Sequence, residues 1–280
     1  MAQGKQALKS RIRSIQATKK ITGAMEMIAT GKLQKQKNLM QQNREYAEYL
    51  KDTVQQILAD NGNIENVYLK QTEDTKPLTI IFTSDLGLCG GYNTNMLRFM
   101  KDQVNSDDPI ILVGIKGISW LRKNKYQVSN KAIGSDGISF VELSKIANQA
   151  LEMFRKKEIT SIRIVYTKFV NSIRFTPEIV TLLPVKKEEV ELNKTSIETL
   201  FEPNANEILN DLIPMYVRSL LYSFWLETKT SEQASRRLAM ENATDNATEL
   251  IDALVLQFNQ ARQAAITQEI SEIVAGADAL

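Results

Sequence analysis

Histidine is absent from the 280 residues, and cysteine occurs once, at Cys89. The side chain that most often titrates near pH 7 is therefore missing, so acid–base chemistry would rest on carboxylates, lysines, tyrosines or this one thiol. Histidine-ligated metal sites and thiolate clusters are excluded, and a single cysteine forms no internal disulfide. We expect a chain that holds no cofactor or metal and is not an enzyme by itself.

Long apolar runs are missing as well. No stretch of the sequence approaches the roughly 20 apolar residues that a membrane span needs. The first 20 residues carry charges without an apolar core, so we expect no secretory signal there.

Glycine and proline are absent from residues 215–275, a run of 61 residues. As a single helix this run would be about 90 Å long, at roughly 1.5 Å per residue. Pro214 precedes the run and is expected to kink the helix or to mark its start. Apolar residues and alanines recur after it at near-heptad spacing, which is typical of coiled coils. We predict a C-terminal coiled-coil helix over residues 206–280.

The beginning of the chain shows a similar pattern. Apolar residues recur in steps of three and four between residues 5 and 60, and only Gly23 and Gly31 weaken the helical pattern. The early members of this stripe are Leu8, Ile12, Ile15, Ile21, Met25 and Ile28. We predict an N-terminal coiled-coil helix over residues 1–62.

Charge is distributed unevenly between the two ends. Residues 1–37 hold nine Lys and Arg against one acid, a net charge of +8, whereas residues 215–280 have a net charge of −4. This complementarity favours a long antiparallel coiled coil, in which the basic start of the first helix lies beside the acidic end of the last. Such a pair would form a stalk.

Between the two helices, strand patterns alternate with helical ones. Alternation of this kind implies parallel strands joined by crossover connections. A helix over 139–158 begins with Ser139 and Glu142 in capping-box spacing. We predict a small Rossmann-like α/β domain with parallel strands over residues 70–185, followed by a polar linker over 186–205. The strands are expected at 78–84, 109–115, 160–170 and 175–185, the last pair being a candidate antiparallel extension.

The stretch "SDLGLCGGYN" (84–93) lies where a doubly wound domain places a phosphate-binding loop. Its glycines fit neither G-x-G-x-x-G nor G-x-x-x-x-G-K-[ST], and the stretch contains no lysine. The sequence therefore disfavours a nucleotide-dependent enzyme and predicts a tight turn with positive φ.

The basic N-terminal run leaves a second function open. A coiled-coil nucleic-acid-binding protein would use Lys and Arg of residues 1–37 against phosphates. However, the first aromatic residue is Tyr46, so no aromatic side chain in that run could stack on bases. A solvated helix facing an acidic neighbour is the simpler interpretation.

Three stretches point to one family. They are "KITGAMEMIATGKL" (20–33), "SDLGLCGGYN" (84–93) and "ATDNATELIDALVLQFNQARQAAITQEISEIVAG" (243–276). Together they resemble the gamma subunit of F-type ATP synthases, of the bacterial type, and the resemblance extends over the whole chain. The first and last stretches are specific to that family, whereas the glycine-rich turn is characteristic only together with them.

The resemblance implies the central rotor shaft of an ion-translocating ATP synthase. In that family the terminal helices stand inside a ring of alternating alpha and beta subunits, which make or hydrolyse ATP. The α/β domain contacts the epsilon subunit and the ring of c subunits. The implied location is the cytoplasmic side of the inner cell membrane, as a peripheral protein that binds no nucleic acid.

The resemblance also implies partner contacts at individual positions. Met25 corresponds to the methionine that faces the moving loop of the catalytic subunits. Polar residues of the last helix are implied to engage the ring, namely Arg236, Arg262, Gln263 and Thr267. Charge alone adds candidate partners for acidic loops of the ring, namely Lys19, Lys20 and Lys32. Gly23 departs from the lysine that is more usual in the family at its position.

Overall fold

The structure, a computed structural model, describes residues 2–60, 64–70, 76–187 and 204–278. Two long helices enclose an α/β region in the chain order. The elements are α1 (Ala2–Asp60), β1 (Pro77–Phe82), α2 (Tyr92–Gln103), β2 (Ile110–Val113), α3 (Ile118–Lys123), α4 (Phe140–Arg155), β3 (Ser161–Phe169), β4 (Phe175–Leu183) and α5 (Ala205–Asp278). The predicted linker over 186–205 lies mostly outside the described residues.

The sheet has the strand order β2-β1-β3-β4. Strand β1 pairs in parallel with β2 and with β3, whereas β3 and β4 pair antiparallel. The predicted α/β class is confirmed, and the last strand pair is the antiparallel extension. Crossover connections carry helices to the sheet, which is why all residues of β1 and β2 are buried.

Strand β1 shows how one apolar run serves two cores. All six of its residues are buried. Leu78, Ile80 and Phe82 contribute to the larger core, with residues of α1, α4 and α5, whereas Ile81 contributes to the smaller core, with residues of α2 and α3. Because side chains alternate along a strand, a continuous apolar run supplies both faces of the sheet.

Two helices, α4 and α5, begin with a side-chain cap. Ser139 caps α4 and accepts a hydrogen bond from the backbone N–H of Glu142, whose side chain in turn accepts from the Ser139 backbone, so the predicted capping box is confirmed. At α5 the side chain of Asn204 accepts a hydrogen bond from the backbone N–H of Glu207 at 2.9 Å. This contact explains why α5 begins at Ala205.

Pro214 lies inside α5 and does not start it. Proline has no N–H, so the helix continues across one missing backbone hydrogen bond near its first turns. The larger core compensates for this loss, because Leu209, Ile213 and Val217 around the proline are buried.

The described chain divides into two compact units. Unit 1 comprises Met1–Gly31 and Arg236–Leu280, and unit 2 comprises Lys32–Ser235. No helix in the described part of the chain is both long enough and apolar enough to cross a membrane.

Within unit 2, α1 and α5 run antiparallel. Asn43 of α1 contacts Ser223 of α5 through their side chains. Asn66, which follows the end of α1, donates to the side chains of Asn206 and Asn210 near the start of α5, at 2.8 and 3.0 Å. Later residues of the first segment therefore meet earlier residues of α5.

Candidate functional site

Unit 1 consists of two helical segments with a thin shared core. Thr244 Oγ1 donates to Thr22 Oγ1 at 2.8 Å across the pair. The buried side chains of this unit include Ala29, Met240, Ala247 and Leu254. Alanines bury little area, so this pair gains little stability from its own core compared with a leucine-rich coiled coil.

Large apolar side chains lie on the outer surface of unit 1. Met27 and Ile273 are each 71% exposed. The other exposed large apolar residues of this unit are Ile21, Ile28, Leu250, Val255, Leu256, Ile266, Ile270 and Val274. We define these ten residues as the exposed apolar set. Contiguous exposed apolar surface is typical of protein-interaction sites.

Helical periodicity places members of this set on common faces. Residues three, four and seven positions apart share one side of a helix. On α1, Ile21 and Ile28 share a side with the half-buried Met25. On α5, Ile266, Ile270 and Ile273 form a second such stripe. The stripe predicted for α1 exists, but it is open to solvent at Ile21 and Ile28.

The predicted contact residues of α5 fall into two groups. Arg262, Gln263 and Thr267 are exposed, and Thr267 Oγ1 donates to the backbone carbonyl of Gln263 at 3.0 Å. These three residues lie within one and a half turns of each other, so one partner surface could contact them all. Arg236 differs, because only 8% of it is exposed.

The predicted contact residues of α1 are exposed or half-buried. Lys20 and Lys32 are exposed, whereas Lys19 and Met25 are half-buried. Lys19, Lys20 and Met25 belong to unit 1, and Lys32 opens the segment of α1 that belongs to unit 2.

The glycine-rich turn after β1 is closed by its own side chains. The side-chain oxygen of Asn93 accepts from the Ser84 backbone N–H at 3.0 Å, and its amide nitrogen donates to Ser84 Oγ at 2.7 Å. Gly90 has φ 56°, which confirms the predicted positive φ there, and Leu88 has φ 60°. The turn thus folds on itself, and its geometry is that of a structural turn with the buried Cys89 inside it.

A cavity of about 310 Å³ lies in unit 2 between α1, the end of β3 and α5. Met40, Ala47, Phe169 and Leu220 supply apolar walls, and Glu227 supplies a carboxylate. Burial raises the pKa of Glu227, partly offset by a hydrogen bond from the Phe169 backbone N–H. Its walls carry neither a nucleophile paired with a base nor a set of metal ligands, and so the cavity has the character of a packing gap.

Sequence reasoning missed one feature, a buried polar stretch of α5. Thr228, Lys229, Thr230, Ser231 and Glu232 are all buried. The signal was present as a long run of polar residues, "TKTSEQASRR" (228–237), inside an otherwise striped helix.

Comparison with known proteins gives a consistent result. A family model described as ATP synthase matches residues 4–280. The ATP synthase gamma chain of Mycoplasma mobile is 39% identical over 279 residues, which are 98% of each chain. A sodium-ion-specific ATP synthase gamma chain of Acetobacterium woodii is 38% identical over 301 aligned positions, covering 100% of both chains. The structure is also similar to a chain in the central stalk and c-ring of the Tetrahymena thermophila mitochondrial ATP synthase, with a TM-score of 0.62, 26% identity, and 80% and 99% coverage of the two chains.

Proposed function

The chain belongs to the ATP synthase gamma family, and from that premise we propose that unit 1 is the part of the shaft that turns inside a ring of alternating alpha and beta subunits. As a gamma subunit it is a non-catalytic component of the central stalk of a membrane-associated, F-type ATP synthase. ATP is made or hydrolysed on other subunits. Family membership favours the rotor over the nucleic-acid-binding alternative for residues 1–37.

The exposed apolar set carries this proposal. A single asymmetric shaft inside a three-fold ring must occupy three equivalent positions in turn. A contact that binds very tightly at one position would lower the free energy of the shaft at that position and so stall rotation. Methionine, isoleucine and long polar side chains on a nearly smooth helix surface provide contacts that are adequate and exchangeable. The thin alanine core follows from the same need, since it keeps the shaft narrow.

The named contact residues extend the proposal to single positions. Met25, with its neighbours Ile21 and Ile28, faces the moving loop of a catalytic subunit. Arg262, Gln263 and Thr267 engage the ring through hydrogen bonds from one accessible stretch of α5. Lys19, Lys20 and Lys32 pair with acidic loops, and Arg236 contributes through the small part of its side chain that is accessible.

Unit 2 is proposed to contact the remaining stalk partners. We propose that its α/β domain contacts the epsilon subunit and the ring of c subunits. The similarity to a chain from a central stalk and c-ring assembly supports this assignment. The complex would then lie at the cytoplasmic side of the inner membrane, with this chain as a peripheral component.

The test compares a triple variant with a double control variant. Both are made in the tagged chain and studied in the membrane-bound complex. Arg262→Ala/Gln263→Ala/Thr267→Ala removes the accessible polar stretch. The control, Arg44→Ala/Glu48→Ala, removes an exposed ion pair of α1 at 2.7 Å that lies in unit 2, outside the segment assigned to the ring. ATP hydrolysis and ATP-driven ion pumping are measured on complexes of equal subunit content.

We expect the triple variant to pump fewer ions per ATP hydrolysed, whereas the control variant pumps as the wild type does. Removal of residues 262–280 should weaken coupling further. Equal coupling in the wild-type, triple-variant and control complexes would refute the assigned contacts. Recovery of the wild-type chain without a hexamer would refute the location of unit 1 inside the ring.

A further inference from the structure

Residues 225–235 of α5 lie entirely within unit 2 and are mostly buried although they are mostly polar. We call them the anchor segment. Polar groups removed from water destabilise a fold unless hydrogen bonds replace the lost hydration. The directions of those replacement bonds therefore show what the segment is held against.

The first side of the anchor segment faces β3. Ser231 Oγ donates to the backbone carbonyl of Thr167 at 3.0 Å, and the Thr167 N–H donates to Thr228 Oγ1 at 3.4 Å. Two residues along the strand, the Phe169 N–H donates to a carboxylate oxygen of Glu227 at 3.1 Å. Three side chains of the helix are thus bound to the backbone of one strand.

Further along the same side, the anchor segment faces the glycine-rich turn and the start of α2. Ser235 Oγ donates to the backbone carbonyl of Cys89 at 2.8 Å. Tyr92, the first residue of α2, donates its hydroxyl to the backbone carbonyl of Thr228 at 3.3 Å. The Ser235 contact gives the glycine-rich turn a role, because a rigid turn holds the Cys89 carbonyl in a fixed position as an acceptor for the helix.

The other side of the anchor segment faces the loop before α4. Trp225 Nε1 donates to the backbone carbonyl of Ser135 at 3.2 Å. Lys229 pairs with Asp136 and, at 2.6 Å, with Glu232, and the side chains of Lys229 and Glu232 are 3% and 0% exposed. The loop is itself fixed, because the carboxylate of Asp85, just after β1, accepts from the N–H groups of Ser135 and Asp136 at 2.9 and 2.6 Å.

These contacts surround much of the helix. At 3.6 residues per turn, the bound side chains from Glu227 to Lys229 span roughly 200° of its circumference. Hydrophobic burial is non-directional, so it fixes the rotation of a helix about its own axis less specifically than directed bonds do. Hydrogen bonds and ion pairs depend on direction, and a small axial rotation breaks several of them together.

We propose that the anchor segment is the torsional anchor of the stalk: it fixes α5 against axial rotation relative to the sheet, so that rotation of the α/β domain and rotation of α5 are transmitted without slip. This inference rests on the proposed function as a rotor. It explains why a segment under mechanical load is polar where the rest of the neighbouring core is apolar.

The experiment uses the assembled complex. A probe is attached to the α/β domain, and the ring of alpha and beta subunits is held on a surface. Thr228→Val/Ser231→Ala/Ser235→Ala removes three helix-to-domain hydroxyl bonds without leaving a buried charge. Its matched control is Thr230→Val, because within the described residues the buried Thr230 hydroxyl donates to the helix's own Leu226 carbonyl, at 2.8 Å. Torsional stiffness and ions pumped per ATP are measured.

We expect the triple variant to lose torsional stiffness and coupling while it keeps its ATPase activity, and the control to match the wild type. If an assembled triple variant had the torsional stiffness of the wild type, the proposed torsional role of the anchor segment would be overturned. If the triple variant does not assemble, the single variants Ser231→Ala and Ser235→Ala test the proposal instead. The proposal requires a loss of torsional stiffness in each of them. Failure of the wild-type complex to rotate its probe would instead contradict the proposed function.

Discussion

Gly114, directly after β2, has a backbone that narrowly limits substitution. Its φ is +114°, and a Cβ built there would lie 2.1 Å from the carbonyl oxygen of Thr83. The close approach lets the ends of β1 and β2 come together, where Thr83 N–H donates to the carbonyl of Val113 at 2.7 Å. Only a residue without a side chain fits this position.

Gly114→Ala is therefore expected to destabilise the chain by about 2 kcal/mol or more, from backbone strain and steric overlap together. Thermal unfolding followed by circular dichroism should show a Tm lowered by roughly 4–8 °C. The control is Gly137→Ala, because Gly137 has φ +77° but nothing within 4 Å of its added Cβ. A Tm loss at Gly114 no larger than that at Gly137 would contradict the overlap.

Glu227 makes stability depend on pH. Burial raises the pKa of its carboxyl above the ordinary value of 4.5, and the nearby Glu178 adds to the rise, whereas the Phe169 N–H, Lys168 and Arg44 oppose it. The folded state thus binds this proton more tightly than the unfolded state. Stability from this group is fully present below pH 4.5 and is lost as pH rises through the raised pKa.

Glu227→Gln should abolish that dependence. The difference in Tm between wild type and variant is expected to become less favourable to the wild type as pH rises above 4.5. Melting curves of both chains over a pH series measure it, with Glu249→Gln, an exposed carboxylate of the same helix, as the control for loss of one charge. A Tm difference that does not change with pH would refute the assignment.

At the scale of elements, α1 is long but locally weak. It extends over 59 residues, and nothing lies within 4 Å of a Cβ added at Gly23 or Gly31. Glycine in a helix costs about 1 kcal/mol relative to alanine, because the flexible backbone loses more entropy on folding. Neither glycine is needed for a close approach within the described structure.

Gly23→Ala/Gly31→Ala is expected to stabilise the isolated chain by roughly 1–2 kcal/mol. Denaturant unfolding monitored by circular dichroism at a helix-sensitive wavelength measures the gain. The reverse change at an exposed neighbouring position, Ala24→Gly, should cost about 1 kcal/mol. A double variant no more stable than the wild type would show that these glycines are constrained by something other than propensity.

The elements also show how far pattern reasoning reaches. The four strands, the α4 capping box and both long helices were predictable, because each has a local cause in periodicity or capping. The start of α5 at Ala205 lies one residue before the predicted boundary at 206, and Asn204, at the end of the polar stretch, caps it. Pro214 seemed a stronger boundary, but burial of its neighbours outweighs one lost hydrogen bond.

At the scale of the whole molecule, the two units differ in how their apolar surface is covered. Unit 2 encloses its sheet between two cores. Unit 1 leaves the exposed apolar set uncovered within the chain itself. A partner that covers this set also stabilises it, because binding to the folded state alone shifts the folding equilibrium.

Backbone amides of α5 from residue 262 to 278 are accordingly expected to exchange quickly with solvent deuterium in the isolated chain and slowly in the complex. Amides of α4 should exchange at similar rates in both states, because α4 packs on the sheet within unit 2. Hydrogen exchange with mass spectrometry measures both segments in one sample. Equal exchange of residues 262–278 in the two states would contradict their burial inside a ring.

The sequence by itself determined the helix and strand periods, the α/β class, the uneven charge and the family, since all of these depend on residue order alone. The tertiary structure decided which of those faces are covered. It left Ile21 and Ile28 exposed although their spacing resembles that of a core, and it buried Lys229 and Glu232 although their charges resemble those of a solvated surface. The physical reason is that periodicity shows which residues share a face, whereas burial depends on partners from distant parts of the chain, and here Thr167, Cys89 and Asp136 provide them.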